Sequence, residues 1–260
     1  MSKSRTACLL VHGFLSSRQD FADLPERLAA QGVTVRAMRL PGHGTTPMDF
    51  AGQAEGALLR AVRQEYRDLA AQYDRVCVVG FSMGGALGTL LASEEPVAKL
   101  ALVAPYYGVT YKWYYVLPPE TWQSILGPMV PYIRRPMGMT KLNKRENASR
   151  YFMYQTLPSA GTSQLMQLGR EARRDEVLRR VTCPVLLVHS HHDDAASPEG
   201  ARLALAKMGS ERKRAVWVDK SNHVVCWDYD AEQVLTEIVA FVAESDAAGA
   251  AKDTKDEKDE

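Results

Sequence analysis

The sequence predicts an α/β fold built on a parallel sheet, and two observations carry that expectation. Short runs rich in Val and Leu recur along the 260 residues, each bounded by turn residues. Their near-continuous apolarity suits strands buried on both faces. Between them lie helix-length segments with 3.6-residue periodicity, and strand alternating with helix implies a parallel sheet. The length allows one large domain, or a domain plus a modest insertion.

Taken in order, Ala7–Val11 is the first strand-like run. Phe21, Leu24 and Leu28 then mark one helical face. Val33–Met38 is the second run, followed by a face of Ala57, Leu58, Ala61, Val62 and Leu69. The third run, Arg75–Val79, leads directly into the helical stretch MGGALGTLLAS, and Lys99–Val103 is the fourth. Residues 106 to 180 then break the rhythm with YYGVTYKWYYVLPPETWQ, several prolines and a polar helical stretch. That is too long for an ordinary connection and predicts an inserted cap. Val185–Val188 and Ala215–Val218 resume the sheet, and Val234, Leu235, Ile238, Phe241 and Val242 line a last helix. The end, DAAGAAKDTKDEKDE, lacks large apolar side chains and is predicted to be disordered. The expected organisation is a core of residues 1–105 and 181–245, a cap over 106–180 and a charged tail over 246–260. No internal repeat is evident.

A formal net charge of +1 gives no field for nucleic acid. The four cysteines, Cys8, Cys77, Cys183 and Cys226, form no CxxC pair, and three lie in or beside apolar runs. They read as reduced core residues of a cytosolic protein. No run approaches the roughly 20 apolar residues that span a bilayer, and the N-terminal segment lacks a small-residue cleavage site. These features lead to the expectation of an unexported cytoplasmic protein.

The chemistry concentrates in CVVGFSMGGA, residues 77–86. A strand that turns abruptly into a helix holds a nucleophile on a strained, exposed corner. Side chains two residues to either side would strike neighbouring backbone, and Gly80 and Gly84 meet that demand. Ser82 then sits at the N-terminus of a helix, whose N–H groups favour adjacent negative charge. A serine hydroxyl needs a base within hydrogen-bond reach. His223, in KSNHVV after the last strand-like run, is placed where α/β sheets gather their sites. The orienting acid should lie in the loop HSHHDD, as Asp193 or Asp194. Three histidines and two aspartates also crowd this loop, but they share a short turn without the convergent spacing of motifs such as HExxH, so a metal site is disfavoured. His189, His191 and His192 read as polar loop residues. Oxyanion donors are expected from the N–H of Met83, after the nucleophile, and of Phe14, in the HGF turn after the first strand.

Together these residues resemble the α/β-hydrolase fold. HGF follows the first strand, Pro41-Gly42-His43-Gly44 the second, GFSMGG forms the elbow, and Asp precedes His late in the chain. The order Ser, Asp, His is the one that fold uses. More narrowly, HGF, PGHG, GFSMGG, the aspartate loop ending in Ser197-Pro198 and the segment SNHVVCWD resemble the bacterial carboxylesterase and monoacylglycerol lipase group. The resemblance covers roughly residues 6 to 244 and is weakest in the cap. It implies Ser82 as nucleophile, His223 as general base and acid, and Asp193, by register, as the orienting acid. It also implies Phe14 and Met83 as backbone oxyanion donors, with His43 in a structural turn. The chain departs from the group at Ser190, where glycine is common, and at Ala196, where a larger aliphatic residue is common.

Aromatic and Met side chains of the cap suit an acyl pocket, with Tyr107, Trp113, Trp122 and Met129 as candidates. The cap also carries Lys112, Arg134, Arg135, Lys141, Lys144 and Arg145, a basic bias that reads first as a solvated face and otherwise suits transient contact with an anionic lipid surface or an acidic substrate. The expected activity is hydrolysis of short- to medium-chain acyl esters, monoacylglycerols among them, with a small-molecule ester as partner and no cofactor. The same triad serves acyl transfer, thioester hydrolysis and C–C bond hydrolysis, and motifs do not separate these. A non-catalytic ligand-binding relative would be expected to lack a triad residue, and none is missing.

Overall fold

The computed structural model describes residues 5–54, 56–110, 130, 132–134 and 141–244. Six parallel strands form the central sheet: β1 (Thr6–Val11), β2 (Thr34–Ala37), β3 (Arg75–Phe81), β4 (Lys99–Val103), β7 (Val185–Ser190) and β8 (Lys213–Val218). They lie in the order β2-β1-β3-β4-β7-β8. All six predicted runs are strands of this sheet.

Position in the sheet decides how far the apolar pattern holds. β3, β4 and β7 have neighbours on both sides and are buried almost throughout. The edge strands β2 and β8 alternate or fray toward solvent, with only one neighbour each to cover them. Register stacks Val11 beside Gly80 and Phe81 beside Val103, which aligns the C-terminal ends of β1, β3 and β4 along one edge.

Two apolar layers sandwich the sheet. On one face, α3 (Ala57–Ala70) and α4 (Met83–Ala92) bury Val62, Leu69, Leu87 and Leu91 against Leu9, Val78 and Leu100. On the other, α1 (Leu24–Ala30) and α9 (Ala231–Ala243) bury Leu24, Leu28, Val234, Ile238 and Val242 against Leu10, Val79 and Leu186. The five apolar residues predicted for the last helix are all buried. In α3 the buried stripe is Val62, Tyr66 and Leu69. Its N-terminal turn is only half covered, so Ala57, Leu58 and Ala61 sit at the margin. Inside β4 the buried Lys99 donates from Nζ to the Phe241 and Glu244 carbonyls, at 2.6 and 2.8 Å. An ammonium there satisfies orphan carbonyls and complements the negative end of α9.

Between β4 and β7 the chain leaves the sheet. Its described part includes an antiparallel pair, β5 (Tyr132–Arg134) and β6 (Thr156–Pro158), with α5 (Arg145–Ala148), α6 (Ser159–Ala172) and α7 (Asp175–Arg180). α6 packs on α4, and Val177, Leu178 and Val181 join the core layer. The later part of this segment is therefore held on the sheet, not beside it. The tail expected over 246–260 falls outside the described residues. The four cysteines are free thiols. Among the described residues no helix is long and apolar enough to cross a membrane.

Candidate active site

The turn from β3 into α4 places Ser82 at φ 53° and ψ −115°, a backbone conformation few side-chain-bearing residues adopt. Hydrogen bonds over-determine the bend: the Ser82 N–H donates to the Val103 carbonyl at 2.9 Å, and the Tyr106 N–H donates to the Ser82 carbonyl at 3.0 Å. A methyl group on Gly84 would collide with the carbonyls of Val11 and His12, and one on Gly80 with the Gly84 carbonyl. Backbone passes so closely here that only glycine fits.

His223 arrives from the loop between β8 and α9. The Ser82 hydroxyl donates to its Nε2 at 3.0 Å, and its Nδ1–H donates to Asp193 Oδ2 at 2.7 Å. Both bonds fit a single tautomer, with the Nε2 lone pair facing the serine proton. Asp193 is 2% exposed, and four nitrogens face its carboxylate. Its Oδ1 accepts the N–H groups of Ala195 and Ala196 at 2.8 and 2.9 Å, and its Oδ2 faces His223 and His189. Burial alone would raise this carboxyl, but His223 and His189 outweigh it and hold it well below the usual carboxylate range. Asp194, the other candidate acid, points elsewhere and pairs with Lys141 Nζ at 3.0 Å. Of the two aspartates, Asp193 is the one that meets the imidazole.

The loop after β1 is pinned on both sides of Phe14. The Gly13 N–H donates to Asp20 Oδ2 at 2.7 Å, and the Leu15 N–H donates to His43 Nε2 at 3.1 Å. Among the described residues neither the Phe14 N–H nor the Met83 N–H finds an acceptor. Two unspent donors beside a serine hydroxyl are what an oxyanion requires. Sequence reasoning missed Asp20, which is fully buried and also accepts from Ser16 Oγ and, at 2.5 Å, from the Tyr151 hydroxyl. Burial pushes its carboxyl up to about 6, against the pull of those hydrogen bonds. Spacing alone gave no hint, because a lone Asp seven residues past a turn is commonplace.

His12 and His43 form a second buried support. His12 Nδ1–H donates to the Gly13 carbonyl at 2.9 Å while its Nε2 accepts from the Leu40 N–H at 3.2 Å. The ring of His43 packs edge-on against His12 and Phe50. Burial lowers both imidazoles to about 4. His43 is thus part of a structural turn, and that turn holds the loop that presents the Phe14 N–H. On the far side, buried Asp228 accepts the N–H groups of Asn143, Lys144 and Asn222, each at 2.8 Å. It ties the His223 loop to residues 143 and 144 of the segment between β4 and β7.

The serine opens onto a cavity of about 270 Å³, whose walls include Phe14, Phe81, Tyr106, Met153, Leu165 and Met166. Tyr107 does not line it, contrary to the sequence expectation. The chain alternates direction after Pro105, so Tyr106 faces the cavity while Tyr107 is buried in the core with its hydroxyl 2.7 Å from Thr89 Oγ1. Trp113, Trp122 and Met129 fall outside the described residues. Of the basic cap residues, Lys141 pairs with Asp194 and Lys144 with Glu146 at 3.2 Å, so part of the expected basic surface is neutralised internally. Among the described residues no group of three or more His, Cys, Asp or Glu converges as metal ligands would.

The likeness to known proteins runs along most of the chain. The profile of a family described as Hydrolase_4, serine aminopeptidase S33, matches residues 2–230. The thermostable monoacylglycerol lipase of Bacillus sp. (strain H-257) is 27% identical over 235 residues, covering 90% of this chain and 89% of that one. The carboxylesterase of Bacillus subtilis (strain 168) is 22% identical over 242 residues, covering 92% and 93%. A solved structure reported for LipS and LipT, two metagenome-derived lipolytic enzymes, superposes with a TM-score of 0.80 at 28% identity, covering 92% of this chain and 94% of that one. A soluble variant of the Saccharomyces cerevisiae monoglyceride lipase shares the fold, with a TM-score of 0.76 at 16% identity over 93% of this chain and 87% of that one.

Proposed function

The chain belongs to the Hydrolase_4 (serine aminopeptidase, S33) family of α/β-hydrolases, and from that premise we propose that it is a serine carboxylesterase cleaving short- to medium-chain acyl esters, monoacylglycerols among them. The family takes its description from a peptidase, whereas the relatives matched along nine-tenths of the chain are ester hydrolases. The observation that carries the reading is the continuous chain of bonds from Ser82 through His223 to Asp193, opening onto an apolar cavity.

In this reading Ser82 Oγ attacks the ester carbonyl while His223 Nε2 takes its proton. The Phe14 and Met83 amides hold the oxyanion, a contribution of about 3 kcal/mol for one such donor. His223 then gives the proton to the leaving alcohol. Water, deprotonated by the same imidazole, releases the acid from the acyl-serine. Asp193 stays ionised and stabilises the imidazolium. The cavity, at about 270 Å³, falls just below the roughly 300–1,000 Å³ usual for small-molecule sites, which favours one short or medium acyl chain. The cap over 106–180 supplies walls of that cavity through Tyr106, Tyr151, Met153 and Leu165.

Steady-state hydrolysis of an aryl-ester series, of monoacylglycerols and of aminoacyl amides tests the proposal. It predicts turnover of esters peaking at short or medium chains and lost in Ser82→Ala. Turnover of the amides alone, or ester turnover that survives Ser82→Ala, would overturn it.

A further inference from the structure

We infer that His189 is a second histidine serving the Asp193 carboxylate, a positioning residue that shares its Nε2–H between the Ala196 carbonyl and the Asp193 oxygen already bonded to His223. The inference rests on the triad reading given above. Its ground is the surroundings of a side chain that the sequence marked as ordinary loop. His189 is fully buried at the end of β7. Its Nε2 lies 3.1 Å from Asp193 Oδ2 and 3.3 Å from the Ala196 carbonyl oxygen. Both neighbours are acceptors only. A bare Nε2 would set three lone pairs against one another, so this nitrogen carries the hydrogen. Nδ1 is buried with no partner, and a hydrogen there would be an unsatisfied donor. The two ring nitrogens therefore agree on one tautomer, Nε2–H.

The ring is held for this task. His189 lies opposite Trp217 of β8 in the parallel register, and the two rings stack at 5.7 Å between centroids and 27° between planes. Trp217 in turn carries His191 and Arg202, so the imidazole cannot rotate without displacing a packed layer. With the two main-chain donors on Oδ1, the carboxylate is saturated and fixed in the plane that faces His223.

The consequence for His223 has a definite sign. A donor on Oδ2 draws off part of the charge that makes His223 basic, so its removal should raise the basicity of His223. The other groups around this imidazole are Ser82, the Asp20 carboxyl across the site and Lys141, which lines the same cavity and pairs with Asp194. None of them contacts His189 Nε2, so they are unchanged by its replacement.

Two variants separate hydrogen bonding from packing. His189→Phe keeps the stack on Trp217 and loses the donor, while His189→Gln keeps a donor near the Nε2 position. We expect His189→Phe to lower kcat about tenfold at unchanged KM, with the acid limb of kcat/KM moved to higher pH. His189→Gln should restore kcat and return the limb toward wild type. Nitrogen-15 histidine spectra of the wild-type protein supply a readout independent of mutation and of activity, and should show His189 as the Nε2–H tautomer. An Nδ1–H tautomer, or a His189→Phe protein with wild-type kcat and acid limb, overturns the inference. So does equal loss in the Phe and Gln variants. An inactive wild type with the Nε2–H tautomer would instead strike at the esterase reading and leave the hydrogen bond standing.

Discussion

Asp20 shows how much of the site lies outside the three residues of the triad. Its carboxyl gathers the Gly13 amide, the Ser16 hydroxyl and the Tyr151 hydroxyl, and the first of these fixes the turn that presents the Phe14 N–H. Asp20→Asn turns one acceptor into a donor and should lower kcat by about two orders of magnitude, the lower end of what an oxyanion donor is worth. KM should change little. Tyr151→Phe, which removes one of three bonds, should cost only a few-fold. Steady-state kinetics on one aryl ester check both. At this scale the sequence was legible where chemistry imposes a pattern: Ser82 between glycines, His223 after the last strand, an acid after β7. It was silent on Asp20 and on the part Asp228 plays, and it read His189 as a polar loop residue although that side chain is fully buried in β7, because a buried polar residue that supports another is not marked as such by its neighbours in sequence. Between Asp193 and Asp194 the residues alone could not choose. The choice follows from the turn, which aims Asp193 inward and leaves Asp194 to Lys141.

At the scale of elements, the strand–turn–helix from β3 to α4 holds strain that its neighbours maintain. The cost of the Ser82 backbone is on the order of 1–3 kcal/mol. Ser82→Gly should therefore be more stable than Ser82→Ala by about 1 kcal/mol, and the proposed mechanism expects both to be inactive. Gly84→Ala should destabilise by about 3 kcal/mol or more, because the added methyl meets backbone that cannot move aside. Urea titrations of the three variants give these differences. The strands of the sheet were legible because burial on two faces writes a near-continuous Val and Leu run. The edge strands were legible only in outline, since their apolar runs are partly exposed. The segment between β4 and β7 was legible as an interruption but not in its packing: α6 and α7 look polar in sequence, yet each buries a narrow stripe against the core.

For the whole molecule, His12 and His43 couple stability to pH. Each is held near 4 in the fold and takes up a proton near its ordinary value when unfolded. The unfolded chain binds these protons first, so their contribution is complete above about pH 6.5 and is lost as pH falls toward 4. Asp20 acts in the opposite sense. Raised to about 6, it binds a proton in the fold before the unfolded chain does, and so favours the fold at lower pH. Two histidines outweigh one carboxyl, leaving about one proton taken up on unfolding near pH 5. The midpoint of urea unfolding should fall between pH 7 and pH 5, and less steeply in His43→Gln.

All of this depends on a single arrangement, in which the Ser82 hydroxyl is made nucleophilic by His223 and answered by two main-chain amides. The most direct test is to treat the protein with a fluorophosphonate and locate the adduct by peptide mass spectrometry. The account predicts one adduct per chain, on Ser82, slowed by orders of magnitude in His223→Ala. Modification of another residue, or equal labelling of wild type and His223→Ala, would contradict it.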